Sequence, residues 1–162
     1  MKTDSIINFL AGTYAFLNNT QLRDGVQVAT PWGSNPSGLL TYTRYGYMLA
    51  VINSNDPEVR PANLTWPPKD TDSVEDWALV GRTSLSYAGP FSLNTSVPLT
   101  KYSGQIIHGP LATASVPYLF GQAQRRNYTV IEQDGAVYLS ISVITTQPGV
   151  RSELWWKRIV KG

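Results

Sequence analysis

At 162 residues, 42% hydrophobic, only 15% charged and with net charge +2, the chain is long enough to bury a sizeable core. Its low charge and scattered basic residues argue against a nucleic-acid footprint, and with no cysteine it has no disulfide, thiol nucleophile or cysteine-based metal site. No run of about 18 apolar residues and no signal-type apolar stretch follows Lys2, so the expectation is a cytoplasmic protein that makes no membrane contact.

Taken in chain order, Ile6, Phe9 and Leu10 predict a helical turn over Ser5 to Leu10, and Gly12 to Leu17 the first strand. Asp24-Gly25 predicts a turn and Val26 to Ala29 another strand, before a loop marked by Pro31, Gly33, Pro36 and Gly38. From Gly38 to Ile52, GLLTYTRYGYMLAVI reads as a β-hairpin closed at Arg44-Tyr45-Gly46, with glycine at the left-handed position. Pairing Thr43 with Tyr47 sets Tyr42 against Met48 and Leu40 against Ala50. Side chains alternate across a strand, so Gly38, Leu40, Tyr42, Met48, Ala50 and Ile52 share the interior face. Leu39, Thr41, Thr43, Tyr47, Leu49 and Val51 share the other. That second face is also largely apolar, which predicts a cover: a helix, a loop, or a second copy of the chain in a homodimer.

Asn53 to Asp72 carries Pro57, Pro61, Pro67 and Pro68 and is long for a loop, so it reads as either mobile or a functional cover. Ser73, followed by Glu75 and Asp76, predicts an N-cap and a helix with Trp77 and Val80 on its inner face. Further strands are expected over Tyr87–Leu93, Gln105–His108, Leu111–Ser115, Gly121–Ile131, Ala136–Ile144 and Arg151–Val160. Asp134-Gly135 forms a tight turn, and Gln147-Pro148-Gly149 a break. About eight to ten short antiparallel strands with one or two short helices, as a single domain over 1–162, favour a closed all-β barrel, because closure removes edges.

The segments Leu10-Ala11-Gly12-Thr13-Tyr14, Gly38-Leu39-Leu40-Thr41-Tyr42-Thr43, Gly46-Tyr47-Met48 and Tyr87-Ala88-Gly89-Pro90-Phe91 resemble, in order and spacing, the lipocalin-like domain family. Ile106-Ile107-His108, Gly121 with Gln124-x-Arg126, and Leu154-Trp155-Trp156-Lys157-Arg158 continue the likeness, which covers most of the chain. The resemblance implies an up-and-down (calycin-type) barrel. It also implies that the first-strand aromatic, here Tyr14 where the family has tryptophan, packs on Arg158 of the last strand.

His108 is the only histidine, which excludes a histidine metal cluster. It reads as a general acid–base near neutral pH or as a hydrogen-bonded strand residue. Strand parity leaves two options open: Arg126 inward with Gln124 and Tyr128, or Arg125 inward with Asn127 and Thr129; the resemblance favours the first. Tyr42, His108 and Arg126 are the candidate catalytic groups. Leu40, Met48, Trp77, Tyr87, Phe91, Phe120, Tyr128 and Tyr138 are candidate substrate contacts, with Trp66, Tyr118 and Trp156 also available to an aromatic-walled cavity. No carboxylate pair, Gly-x-Ser-x-Gly elbow, phosphate loop or dinucleotide fingerprint is present, so neither cofactor nor metal is expected. Some lipocalin-like barrels rearrange natural products. The resemblance therefore implies a cofactor-independent isomerase or cyclase acting on an apolar, polyketide- or terpenoid-like intermediate. The alternative is a non-catalytic binder of a small hydrophobic ligand.

Overall fold

The computed structural model describes residues 2–144 and 149–160. Helix α1 (Lys2–Leu10) leads into β1 (Gly12–Arg23), β2 (Val26–Val28), β3 (Pro36–Tyr42) and β4 (Tyr47–Ser54). Helix α2 (Val74–Arg82) follows, then β5 (Ser84–Leu93), β6 (Ser103–His108), β7 (Thr113–Ala114), β8 (Gln124–Gln133), β9 (Ala136–Ile144) and β10 (Val150–Arg158). Eight strands close an antiparallel up-and-down barrel in the order β1-β3-β4-β5-β6-β8-β9-β10, with β10 returning to β1. The short β2 and β7 attach to β1 and β5.

The hairpin forms in the expected register, with Tyr42 opposite Met48 and Leu40 opposite Ala50. The Thr43 amide donates to the Tyr47 carbonyl at 2.8 Å, and Gly46 takes φ +81°. Leu40, Tyr42, Met48, Ala50 and Ile52 are all buried in the barrel. At Gly38 a methyl group would sit 2.5 Å from the Val51 carbonyl oxygen of the facing strand. Gly38→Ala is therefore expected to cost about 1–3 kcal/mol, as overpacking does. Urea denaturation reads this directly, and an unshifted midpoint would show that the strands can part.

Some boundaries differ from the sequence reading. β1 runs on to Arg23 because the polar stretch after Leu17 still pairs with β10, across an irregularity between Phe16 and Asn18 that interrupts the alternation. The strand expected over Leu111–Ser115 shrinks to two residues, and β8 starts only at Gln124. In between, the chain makes a 3-10 turn over Pro117–Leu119. The expected break at Gln147-Pro148 lies outside the described residues.

The N-terminal end of the barrel is closed. Arg158 pairs with Tyr14 in register, its guanidinium lies 5.1 Å from the Tyr14 ring centre and 5.5 Å from that of Phe9, and it donates to the Tyr14 hydroxyl and the Phe9 carbonyl. Tyr14 in turn donates to the Leu10 carbonyl at 2.8 Å, tying α1 to the barrel.

On the outer face of the hairpin, two of the three expected covers are absent. Leu39, Tyr47, Leu49 and Val51 are exposed, so neither α2 nor the long loop covers them. The Ser73 hydroxyl does cap α2, accepting from the Asp76 amide at 3.3 Å. Trp77, however, faces the loop beside Arg60, Pro61 and Leu64, and its Nε1 donates to Asp72 at 3.1 Å. The start of the long loop turns back instead. Asp56, nearly buried, accepts from the Ser34 amide at 2.8 Å and from its hydroxyl at 3.0 Å, which pins the Pro31–Ser34 loop.

Candidate functional site

Alternation along each strand sends one set of side chains into the barrel, and at the closed end they fill it. Tyr42 and Phe91 pack edge to face at 4.9 Å, Tyr14 meets Tyr42 at 6.4 Å, and Tyr128 is buried with its hydroxyl donating to the Thr100 carbonyl at 2.5 Å. Towards the other end a cavity of about 250 Å³ remains. Leu40, Ile52, His108, Leu154 and Trp156 form its buried part, while Trp32, Leu119, Gln124, Val143 and Ser152 lie nearer the loops. The Trp32 ring reaches the cavity because Asp56 holds its loop, and it packs edge to face on Phe16 at 6.1 Å.

Arg126 points inward with Gln124, Tyr128 and Val130, whereas Arg125 is exposed; the open question of parity is settled on β8. Its guanidinium donates to the Gln124 side-chain oxygen at 3.1 Å and to the Arg125 carbonyl at 2.9 Å. No Asp or Glu is among the described residues lining the cavity.

His108 is fully buried between two tyrosines, its ring 5.6 Å from Tyr42 and 6.1 Å from Tyr87. Its Nε2 lies 2.7 Å from the Tyr42 hydroxyl. No other acceptor for that buried hydroxyl is found among the described residues, so Tyr42 donates and the imidazole carries its proton on Nδ1. Nδ1 itself is buried without a partner, as is the Trp156 Nε1–H. Burial, and secondarily the Arg126 charge, holds the His108 pKa down at about 3, so the ring is neutral around pH 7. Burial likewise raises the Tyr42 hydroxyl well above its ordinary value, with Tyr87 and Tyr14 adding to the effect and Arg126 opposing it. The Tyr87 hydroxyl is raised by burial, with Arg126 pulling it back. The reading of His108 as an acid–base near neutral pH is thereby corrected: the pair is a neutral hydrogen-bond unit, because the solvation that a charged imidazole needs is missing.

The candidate residues separate into three groups. Leu40, Tyr87, His108 and Arg126 line the cavity, and Tyr42 stands directly behind His108. Met48, Phe91 and Tyr128 face inward but belong to the packed end. Trp77, Phe120 and Tyr138 do not line it at all, which corrects their assignment as substrate contacts. Trp77 sits on the outer helix, Phe120 is 63% exposed after the 3-10 turn, and Tyr138 lies on the outward face of β9 under Lys157. Trp66 and Tyr118 are likewise exposed. Residues missed in the sequence were Ile141 and Val143 on β9, Ser152 and Leu154 on β10, and Trp32. Parity from the inward Trp156 would have found Leu154 and Ser152; Trp32 sits in a loop with no periodic signal.

A concave, mostly apolar cavity with a few polar groups is the form a small-ligand site takes, and this barrel fits a small apolar ligand. No helix among the described residues is long and apolar enough to cross a membrane. Searches of curated proteins and of solved structures each returned no significant match. The profile of the lipocalin-like domain matches residues 11–159, nearly the whole barrel from β1 to β10, and the chain belongs to that family.

Proposed function

We propose that the chain is a cofactor-independent isomerase or cyclase that holds an apolar natural-product intermediate inside the barrel and polarises one of its oxygen atoms. The observation that carries this reading is Arg126, whose guanidinium-bearing side chain lines a largely apolar cavity. Donors fixed in a water-poor site stabilise charge that develops on oxygen far better than water does, because they need no reorganisation. The apolar walls supply the second component, restraint of a flexible substrate in the reactive conformer.

The electrostatics narrow the reaction class. With His108 neutral and both tyrosines protonated, no group in the cavity acts as a strong base near pH 7. The chemistry is confined to cyclisation or isomerisation helped by hydrogen-bond donation. Product formation from unsaturated apolar carbonyl compounds, followed chromatographically, is the test. Arg126→Gln is expected to lower kcat by about 100-fold or more. Wild-type kcat is expected to stay flat from about pH 5 to 9, since none of His108, Tyr42 and Tyr87 titrates there. Undiminished turnover in Tyr42→Phe, His108→Gln and Arg126→Gln alike would rule out this mechanism. The missing base also favours a second reading, a non-catalytic binder, which would return every bound compound unchanged.

A further inference from the structure

The groups around the cavity are unbalanced in a way that names a ligand class. Arg126 brings a positive charge into largely apolar surroundings, and the groups it meets among the described residues are neutral: the Gln124 side-chain oxygen, the Arg125 carbonyl and the Tyr87 hydroxyl. Buried guanidinium groups are normally paired with a carboxylate or phosphate, because desolvating the charge is otherwise costly. Two further lining residues, His108 and Trp156, are 1% and 2% exposed and each keeps a ring nitrogen without a partner, Nδ1 and Nε1, shielded behind the wall. Arg126 on β8 is thus the charged group of the cavity lining, and no acid accompanies it among the described residues.

From this geometry we infer that the ligand is a small apolar carboxylic acid, bound as its carboxylate by Arg126. This rests on the reading of the barrel as a small-ligand site and specifies its occupant. A carboxylate matches the guanidinium fork, which can meet both its oxygens. Phosphate fits less well: it carries more charge and more oxygens than one guanidinium can satisfy, and most of the remaining wall is apolar, with Gln21, Tyr87, Gln124 and Ser152 its other polar side chains besides His108 and Trp156. Size bounds the tail. An apolar cavity of ~150 Å³ takes benzene, so the ~250 Å³ here suits a body of about ten non-hydrogen atoms. The tail extends towards Trp32 and Leu119, where the wall is only partly buried.

Binding of trans-cinnamate, its neutral isostere cinnamamide and the hydrocarbon naphthalene, followed by tryptophan fluorescence, tests this. Wild type is expected to bind cinnamate at least about tenfold more tightly than cinnamamide, the range for hydrogen bonds to a charged group. Arg126→Gln is expected to bring the two within about twofold while leaving naphthalene binding in place. Equal affinities for acid and amide in the wild type, a comparison that needs no variant, would overturn the carboxylate assignment. If naphthalene still binds in that case, the small-ligand reading survives it. Failure of all three probes to bind would remove both.

Discussion

Arg158→Ala should lower the midpoint of thermal unfolding by about 10 °C while leaving the cavity able to bind. The guanidinium contributes cation–π contacts with Tyr14 and Phe9, each worth ~0.5–2 kcal/mol. It also satisfies the Phe9 carbonyl and bonds the Tyr14 hydroxyl. Together these amount to about 3 kcal/mol, and in a chain of this size each kcal/mol moves the midpoint by roughly 2–4 °C. The effect is structural because Arg158 closes the packed end of the barrel and does not line the cavity. Differential scanning calorimetry beside a naphthalene titration separates the two roles. A normal midpoint with lost binding would reverse the assignment.

The second large effect concerns acid. His108 carries an ordinary imidazole pKa of 6.5 when unfolded and about 3 when folded, so below pH 6.5 the unfolded chain takes up a proton that the folded chain refuses. Stability is therefore complete above pH 6.5 and declines as pH falls towards 3, by about 1.4 kcal/mol per unit. The tyrosines facing the ring do not share this window, since burial raises both Tyr42 and Tyr87 from their ordinary values. Carboxylates elsewhere titrate in wild type and His108→Gln alike, so the difference between the two isolates the ring. Between pH 6.5 and 4.5 the wild type is expected to lose about 2–3 kcal/mol more than His108→Gln in urea unfolding. Parallel pH profiles would show that His108 ionises freely in the folded state.

Legibility in the sequence followed the physics of each element. The hairpin was readable to the residue because a glycine at the turn and alternation on both strands fix register together. The Tyr14–Arg158 closure followed from the family resemblance, and the α2 cap from local chemistry at Ser73. The cavity was legible only where a strand carried it, as with Leu40, Tyr87, His108 and Arg126. Phe120 and Tyr138 misled because aromatic character says nothing about which face a residue occupies. Trp32 was invisible because its position depends on a long-range tie, from Asp56 to Ser34 across the barrel rim. The state of His108 was equally hidden, since its pKa is set by burial from strands distant in sequence.

The central claim is that a small apolar molecule binds inside this barrel. Val143, partly buried on β9, lines the cavity towards the open end, and a tryptophan there would fill it. The most direct measurement is the affinity and stoichiometry of naphthalene for wild type and for Val143→Trp, with near-ultraviolet circular dichroism confirming that both are folded. One site per chain, weakened at least about tenfold by Val143→Trp, is the predicted result. Undiminished binding in the folded variant would place the ligand elsewhere, such as the outer groove by Thr41, Leu49 and Ala88, and would contradict an internal site.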